Sequence, residues 1–333
     1  MRVYRFLIFC GLAGMLLALL ALPSSAELGI GTRALGMGGA FTAIADDSSA
    51  TYWNPAGLIK VKRFNLQPLN IQARIDTKLD WQDVLDNPPT DDSDRVNLLK
   101  ELGSGKAEVD ISANIAIASP GFAVFVQPMG EASLDASGVT IVGDYPAINS
   151  EATIRGTGYV YTGVSFARKL KDGASLGVTL KSVQIKDYLE TIKYIDDAGN
   201  SETILETEKD KSGLGMDIGY IKDVSPNTSI GVVVRNLLRP SLDSVSPERR
   251  VNVGIAHKLS GGNVILAADI SSLFDSPNLN VGAEFKAGKF LNLQAGIYER
   301  KATLGLGLTL LGAKIQIAYS PDNMSIASGS LSF

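Results

Sequence analysis

Residues 302–310 read Ala302-Thr303-Leu304-Gly305-Leu306-Gly307-Leu308-Thr309-Leu310. Successive side chains of a strand point to opposite faces. Leu304, Leu306, Leu308 and Leu310 therefore share one face, and Gly305, Gly307 and Thr309 the other. The same period of two recurs around this stretch. Leu291, Leu293, Ala295 and Ile297 oppose Asn292, Gln294, Gly296 and Tyr298; Ala313, Ile315, Ile317 and Tyr319 oppose Lys314, Gln316, Ala318 and Ser320. Upstream, Leu279, Val281, Ala283 and Phe285 oppose Asn280, Gly282, Glu284 and Lys286, and Leu214, Met216, Ile218 and Tyr220 oppose Gly215, Asp217 and Gly219.

Each of these segments is about ten residues long, the length a tilted strand needs to cross a bilayer. A soluble sandwich gives the same alternation with its polar face in water. The connections separate the two. Fourteen strands are expected, at 64–76, 107–118, 121–134, 152–169, 174–193, 204–221, 227–237, 249–258, 262–271, 278–287, 290–299, 302–310, 312–320 and 323–333. Every even-numbered connection is short: Ser119-Pro120, Lys171-Asp172-Gly173, Val224-Ser225-Pro226, Ser260-Gly261, Gly288-Lys289 and Leu311-Gly312. Odd-numbered ones include long stretches at 77–106, 135–151 and 238–248, and a hairpin tipped by Asp197-Ala198-Gly199-Asn200. An even strand count, with short turns at one end and longer loops at the other, describes a membrane barrel. On this reading the short turns and both termini face the periplasm.

The start of the chain fits export. Arg2 and Arg5 precede an uncharged, mostly apolar run from Phe6 to Leu22, and Pro23-Ser24-Ser25-Ala26 follows. This is the three-part pattern of a signal peptide, with cleavage expected after Ala26. No later apolar run approaches the 18 residues of a spanning helix. The chain carries a net charge of −4, and losing Arg2 and Arg5 with the leader makes it −6. That gives no footprint for nucleic acid. Cys10 lies in the leader and His257 is the sole histidine. Disulfides, thiolate metal sites and Cys/His or Ser/His catalysis built on several histidines are thereby excluded from the mature chain. No enzyme, cofactor or metal is expected. The chain ends on Phe333 inside an alternating segment, which resembles the terminal signal read by barrel-assembly machinery.

Between leader and first strand lies Gly31–Leu58, GTRALGMGGAFTAIADDSSATYWNPAGL. Three pieces stand out: Ala34-Leu35-Gly36-Met37-Gly38-Gly39-Ala40-Phe41, Ala45-Asp46-Asp47, and Trp53-Asn54-Pro55-Ala56-Gly57-Leu58. They resemble the N-terminal segment of the FadL-type outer-membrane transporters and of the related PorV/PorQ and TraF-like barrels. A looser likeness continues through Gly231–Leu237, Ala267-Ala268-Asp269 and Gly282-Ala283-Glu284. The resemblance implies an all-β, transmembrane antiparallel β-barrel of about 14 strands with an N-terminal hatch or plug. The division would be 1–26 signal peptide, 27–60 hatch and 61–333 barrel.

A physical reading of the segment stands beside this. Gly36, Gly38 and Gly39 permit tight turns and close approach to a wall. Pro55 fixes its own φ and biases Asn54 away from helix. Asp47 and Asn54 can bond to nearby backbone that lacks ladder partners. The hatch or ligand-gating residues are then Gly36, Gly38, Gly39, Asp46, Asp47, Trp53, Asn54, Pro55, Ala56 and Gly57. Asp217, Arg235, Asp269, Glu284 and Lys314 would line the lumen.

Other features have plainer readings. Gly36–Ala40 superficially matches a dinucleotide fingerprint, which requires a preceding strand and a βαβ unit. Asp91, Asp92 and Asp94 have no EF-hand spacing and read as solvated loop acids. Ser93–Leu102 reads as a short helix in the first long loop. Tyr52, Trp53, Tyr159, Tyr161, Tyr188, Tyr194, Tyr220, Tyr298 and Tyr319 suit an interfacial aromatic girdle. His257, near a strand end, reads as interfacial.

Two functions compete. The first is passive uptake of a hydrophobic or amphipathic small molecule through a plugged barrel, and it predicts a ligand pocket between residues 54–57 and the wall. The second is a PorV-like or TraF-like scaffold that assists secretion or conjugal transfer. Both place the chain in the outer membrane. The partners expected are outer-membrane lipid, barrel-assembly machinery and either a hydrophobic ligand or a secretion-system component.

Overall fold

The structure is a computed structural model that describes residues 30–62, 64–76, 106–139, 141–142, 145–146, 150–194, 201–239, 247–298, 300–320 and 324–332. The leader, the helix expected at Ser93–Leu102, Asp91, Asp92, Asp94, the Asp197–Asn200 tip and Phe333 lie outside these residues.

Strands form where the period-two segments lie. They are β1 (Asn65–Asp76), β2 (Lys106–Ser119), β3 (Phe122–Gly138), β4 (Ile141–Val142), β5 (Tyr145–Pro146), β6 (Glu151–Lys169), β7 (Ala174–Tyr194) and β8 (Ser201–Ser225). Then follow β9 (Thr228–Leu238), β10 (Arg250–Leu259), β11 (Val264–Ser271), β12 (Asn278–Ala287), β13 (Leu291–Tyr298), β14 (Lys301–Leu310), β15 (Ala313–Ser320) and β16 (Met324–Ser332). All but β4 and β5 join one antiparallel sheet in which sequence neighbours are ladder neighbours. β1 pairs with β2 on one side and with β16 on the other, so the sheet closes on itself. Closure leaves this sheet without an edge strand to template aggregation. β4 and β5 form a two-stranded ribbon within 135–151, the stretch expected as the third connection.

The short turns are built from local chemistry. Asp172-Gly173 and Leu311-Gly312 both carry positive φ at both residues, at 58° and 72° and at 51° and 89°. That conformation matches the twist of a hairpin. At the other end β6, β7 and β8 run for 19, 21 and 25 residues, against 8 to 10 in β10 to β15. Three neighbouring strands therefore rise past the rest of the cylinder.

Side-chain facing follows the alternation. Leu304, Leu308 and Leu310 point outward and are exposed, as are Ile315, Ile317, Leu293 and Ile297. Their neighbours Thr303, Gln294, Gln316 and Ser320 point inward and are buried. The aromatic girdle expected from tyrosine is corrected. Tyr52, Tyr161, Tyr194 and Tyr298 are buried, and Tyr319 is the one of that set exposed on the outer face. Phenylalanines hold the outer positions near the short turns instead: Phe64, Phe122, Phe166 and Phe290 are exposed. Phe122 and Phe166 face each other across the β3–β6 ladder with ring centroids 5.4 Å apart. Tyr161 and Tyr298 turn inward, where a buried hydroxyl needs a partner and the polar lumen supplies one, while Tyr188 lies on the outward face beside Lys186 and Tyr220 on the outward face opposite exposed Leu176. No helix among the described residues is long and apolar enough to cross a membrane.

Residues 30–62 contain no strand. They form a five-residue helix (Thr32–Gly36), a one-turn helix (Ala50–Trp53) and a 3-10 helix (Pro55–Lys60), and lie inside the cylinder. Ile30 to Ala45 are all buried. Gly36–Ala40 follows a helix and turn, not a strand, so the dinucleotide reading fails.

Candidate functional site

The inner segment is the part of the molecule with the densest chemistry. Small residues set its position. Inward-facing glycines line the wall, and a Cβ at any of several would collide with the segment. At Gly282 and Gly296 it would strike Met37 or Gly38 backbone; at Gly231, Thr42; at Gly219, Asn54; at Gly177, Pro55 and Ala56. Polar strand faces rich in glycine are thus a seat cut to the shape of residues 36–56. From the segment's side, Gly38 and Gly39 have φ of 63° and 73° and press on the Ile297 backbone and the Tyr298 ring. A side chain there would be both strained and blocked.

Asn54 locks the second half. Its backbone is extended at φ −170°, and its Oδ1 accepts the Ala56 N–H at 3.1 Å, capping the 3-10 helix. Its Nδ2 spreads over the carbonyls of Thr42 (2.9 Å), Tyr220 (3.1 Å) and Val232 (3.3 Å). One side chain therefore ties the segment to itself and to β8 and β9. Asp47 accepts both the backbone N–H and the hydroxyl of Ser49, at 2.9 and 2.6 Å. Trp53 donates its indole N–H to the Ile30 carbonyl and stands edge-on to Tyr52 and Phe41.

Charge fixes the first half. Arg33, 7 % exposed, lies against the Phe41 ring and forks onto Glu284 of β12, with Nη2 to Oε1 at 3.0 Å. It also pairs with Asp46, and Asp47 sits at 3.5 Å. Glu284 receives Gln294 at 3.3 Å and Lys286 at 3.5 Å. Burial alone would raise the Asp46 carboxyl, but Arg33 beside it wins and holds it below the ordinary carboxylate range. Asp269 of β11 accepts the N–H groups of Phe41 and Thr42 at 2.8 and 2.7 Å. At the turn end, Lys60 reaches the Ala43 carbonyl, Ser229 and Asp223. Burial lowers the Lys60 ammonium and Asp223 offsets this only in part.

A second polar cluster lies beside the segment. Lys181 bonds both oxygens of Asp217 at 2.8 Å and sits over the Tyr161 ring. Asp217 also accepts the Asn236 N–H at 2.6 Å, and Arg235 stacks 3.7 Å from the Tyr52 ring centre. Lys314 lies half-buried on the inner face of β15. Arg33 and Lys181 are not among the residues that motif or spacing marks. For Arg33 a signal exists in the chain: it is the one charge between Glu27 and Asp46. His257 is exposed at the short-turn end of β10, with Nδ1 2.8 Å from the Thr228 hydroxyl. No group of three or more metal-ligating side chains occurs among the described residues.

Toward β7 and β8 the pocket expected between 54–57 and the wall is replaced by direct contact. Asn54, Pro55 and Ala56 touch the wall through glycines, at backbone contact distance. Beside Thr51, Tyr52, Lys181, Asp217 and Arg235 the free space is about 10 Å³, roughly one water. The contact surface there is backbone, which cannot retract without moving a whole element.

The sequence of residues 51–308 matches the family model described as F plasmid transfer operon, TraF, protein. The chain belongs to this TraF family. The likeness to FadL-type transporters holds as well, at the level of fold. This TraF-family barrel superposes on a Pseudomonas aeruginosa FadL homologue with a TM-score of 0.61 at 14 % identity, covering 93 % of this chain and 99 % of that one. For the Ralstonia pickettii toluene transporter TbuX the values are 0.61, 13 %, 91 % and 97 %. For the Pseudomonas putida toluene transporter TodX they are 0.56, 12 %, 93 % and 98 %. No curated protein sequence matches the chain.

Proposed function

We propose that this TraF-family chain is an outer-membrane barrel that passes a small hydrophobic or amphipathic molecule, with residues 30–62 as its hatch. One observation carries the reading: a closed cylinder turns leucine, isoleucine and phenylalanine outward and a polar, glycine-cut wall inward onto a folded internal segment. An outward apolar face all round is stable against lipid and costly against water. The toluene transporters and FadL homologue of like fold support the solute class. In this reading the chain is no enzyme. Gly36, Gly38, Gly39, Trp53, Asn54, Pro55, Ala56 and Gly57 seat the hatch, Asp46 and Asp47 latch it through Arg33, and Asp217, Arg235, Asp269, Glu284 and Lys314 form the wall it works against.

Because the hatch fills the lumen at rest, passage requires it to shift. That same filling favours a second reading, in which the barrel is a scaffold for secretion or conjugal transfer and the interior is structural. The family match agrees with it. Uptake by the intact chain in liposomes separates the two. Entry of an apolar aromatic probe exceeds that into protein-free liposomes under the first reading; under the second it stays at the protein-free level and rises only when residues 31–58 are deleted.

A further inference from the structure

A groove of about 600 Å³ lies on the outward face of β2, β3, β6, β7 and β8. Gly130 and Gly158 pair across the β3–β6 ladder and form its floor. Ile111, Pro128 and Val160 wall its apolar end. A further hollow of about 420 Å³ continues it past Gly158 and Lys186 to Gly156, Tyr188 and Glu208. These glycines differ from those inside. A Cβ at Gly130 or Gly156 would meet nothing within 4 Å, whereas one at inward Gly177, Gly219, Gly231, Gly282 or Gly296 strikes the hatch. Inside, glycine makes room for backbone; here it leaves a trough open.

The rim of the polar end carries both signs. Lys186 and Asp210 face each other across the β7–β8 ladder at 3.8 Å, with side chains 72 % and 65 % exposed. Glu208 lies two residues along from Asp210, on the same face. So exposed a pair holds its partners weakly and opens at little cost. One ammonium and two carboxylates suit a head group that brings its own anion and cation together. A purely anionic head would meet two carboxylates for one lysine.

We infer that this trough binds a zwitterionic lipid. One acyl chain lies over Gly130 and Gly158 between Ile111 and Val160; the head-group phosphate meets Lys186 and its ammonium meets Asp210 and Glu208. The inference rests on the membrane reading above, because only there does an apolar trough on the outer wall meet acyl chains.

The test uses the full chain, folded in detergent and titrated with phosphatidylethanolamine or phosphatidylglycerol of identical chains, read by native mass spectrometry. The wild type retains phosphatidylethanolamine in preference. The double variant G130L/G158L, which fills open space, loses the retained lipid while keeping the heat-modifiable gel mobility of a folded barrel. The charge swap Lys186→Asp with Asp210→Lys leaves the floor intact and keeps binding; the single change Asp210→Lys shifts preference to phosphatidylglycerol. Equal retention by wild type and G130L/G158L, or no head-group preference in any variant, overturns the inference. A chain that stays monodisperse without detergent refutes the membrane reading itself, whereas one that inserts into liposomes but retains no lipid refutes the trough alone.

Discussion

Arg33 is a cation enclosed by protein and held there by carboxylates from two directions, Glu284 of the wall and Asp46 of its own segment. Removing one partner of a buried pair costs more than the pair is worth, because the remaining charge is stranded. Arg33→Ala should therefore destabilise the folded barrel by about 3–5 kcal/mol, measured by urea unfolding in detergent. The pH dependence has a definite sign. Asp46 is depressed in the folded state, so the folded chain binds fewer protons than the unfolded one near its ordinary value of 3.8. The latch then contributes in full above that value and is lost as pH falls through the lower, folded one. The wild-type unfolding midpoint should hold from neutral pH down to about 4 and fall below it, while Arg33→Ala, whose stranded carboxylates take up protons at higher pH, should narrow the gap as the solution is acidified. A gap that stays constant from neutral pH to below about 4 would contradict the latch. The wall half of this latch was not visible from Arg33's neighbours in the chain, because Glu284 lies 251 positions away.

At the level of elements, what matters is which face of a strand a glycine occupies. Inward Gly219 abuts Asn54 and Pro55, and outward Gly130 abuts nothing. Gly219→Val should dislodge the 54–57 turn and raise ion conductance in planar bilayers, or prevent folding. Gly130→Val should leave both conductance and folding unchanged. If the two behave alike, the segment is not seated on glycines. Alternation alone tells which side chains share a face, and the strands it marks were legible to within a few residues. It does not tell what lies on the other side of an inward glycine. The extra length of β8 and the inward turn of Tyr161 and Tyr298 belong to the same class: both depend on what the neighbouring elements and the lumen offer.

For the whole molecule, the outer face decides the solvent. Leu308 sits on the outward face of β14, 41 % exposed. If that face meets hydrocarbon, Leu308→Arg should cost about 2–4 kcal/mol near mid-bilayer, read from the folding equilibrium into liposomes. A change within a few tenths of a kcal/mol, the ordinary result for a water-exposed site, would place the cylinder outside the bilayer. The strands, their antiparallel neighbours and the sidedness of each side chain were already written in the linear chain. They follow from short-range rules: a two-residue repeat and turns of two or three residues. Folding in three dimensions was needed to seat residues 36–56 on particular wall glycines, to bring Arg33 to Glu284, to press Asn54, Pro55 and Ala56 against β7 and β8, and to open Gly130 outward while Gly219 is covered. Those outcomes depend on curvature and closure, which bring together positions with no local pattern to link them.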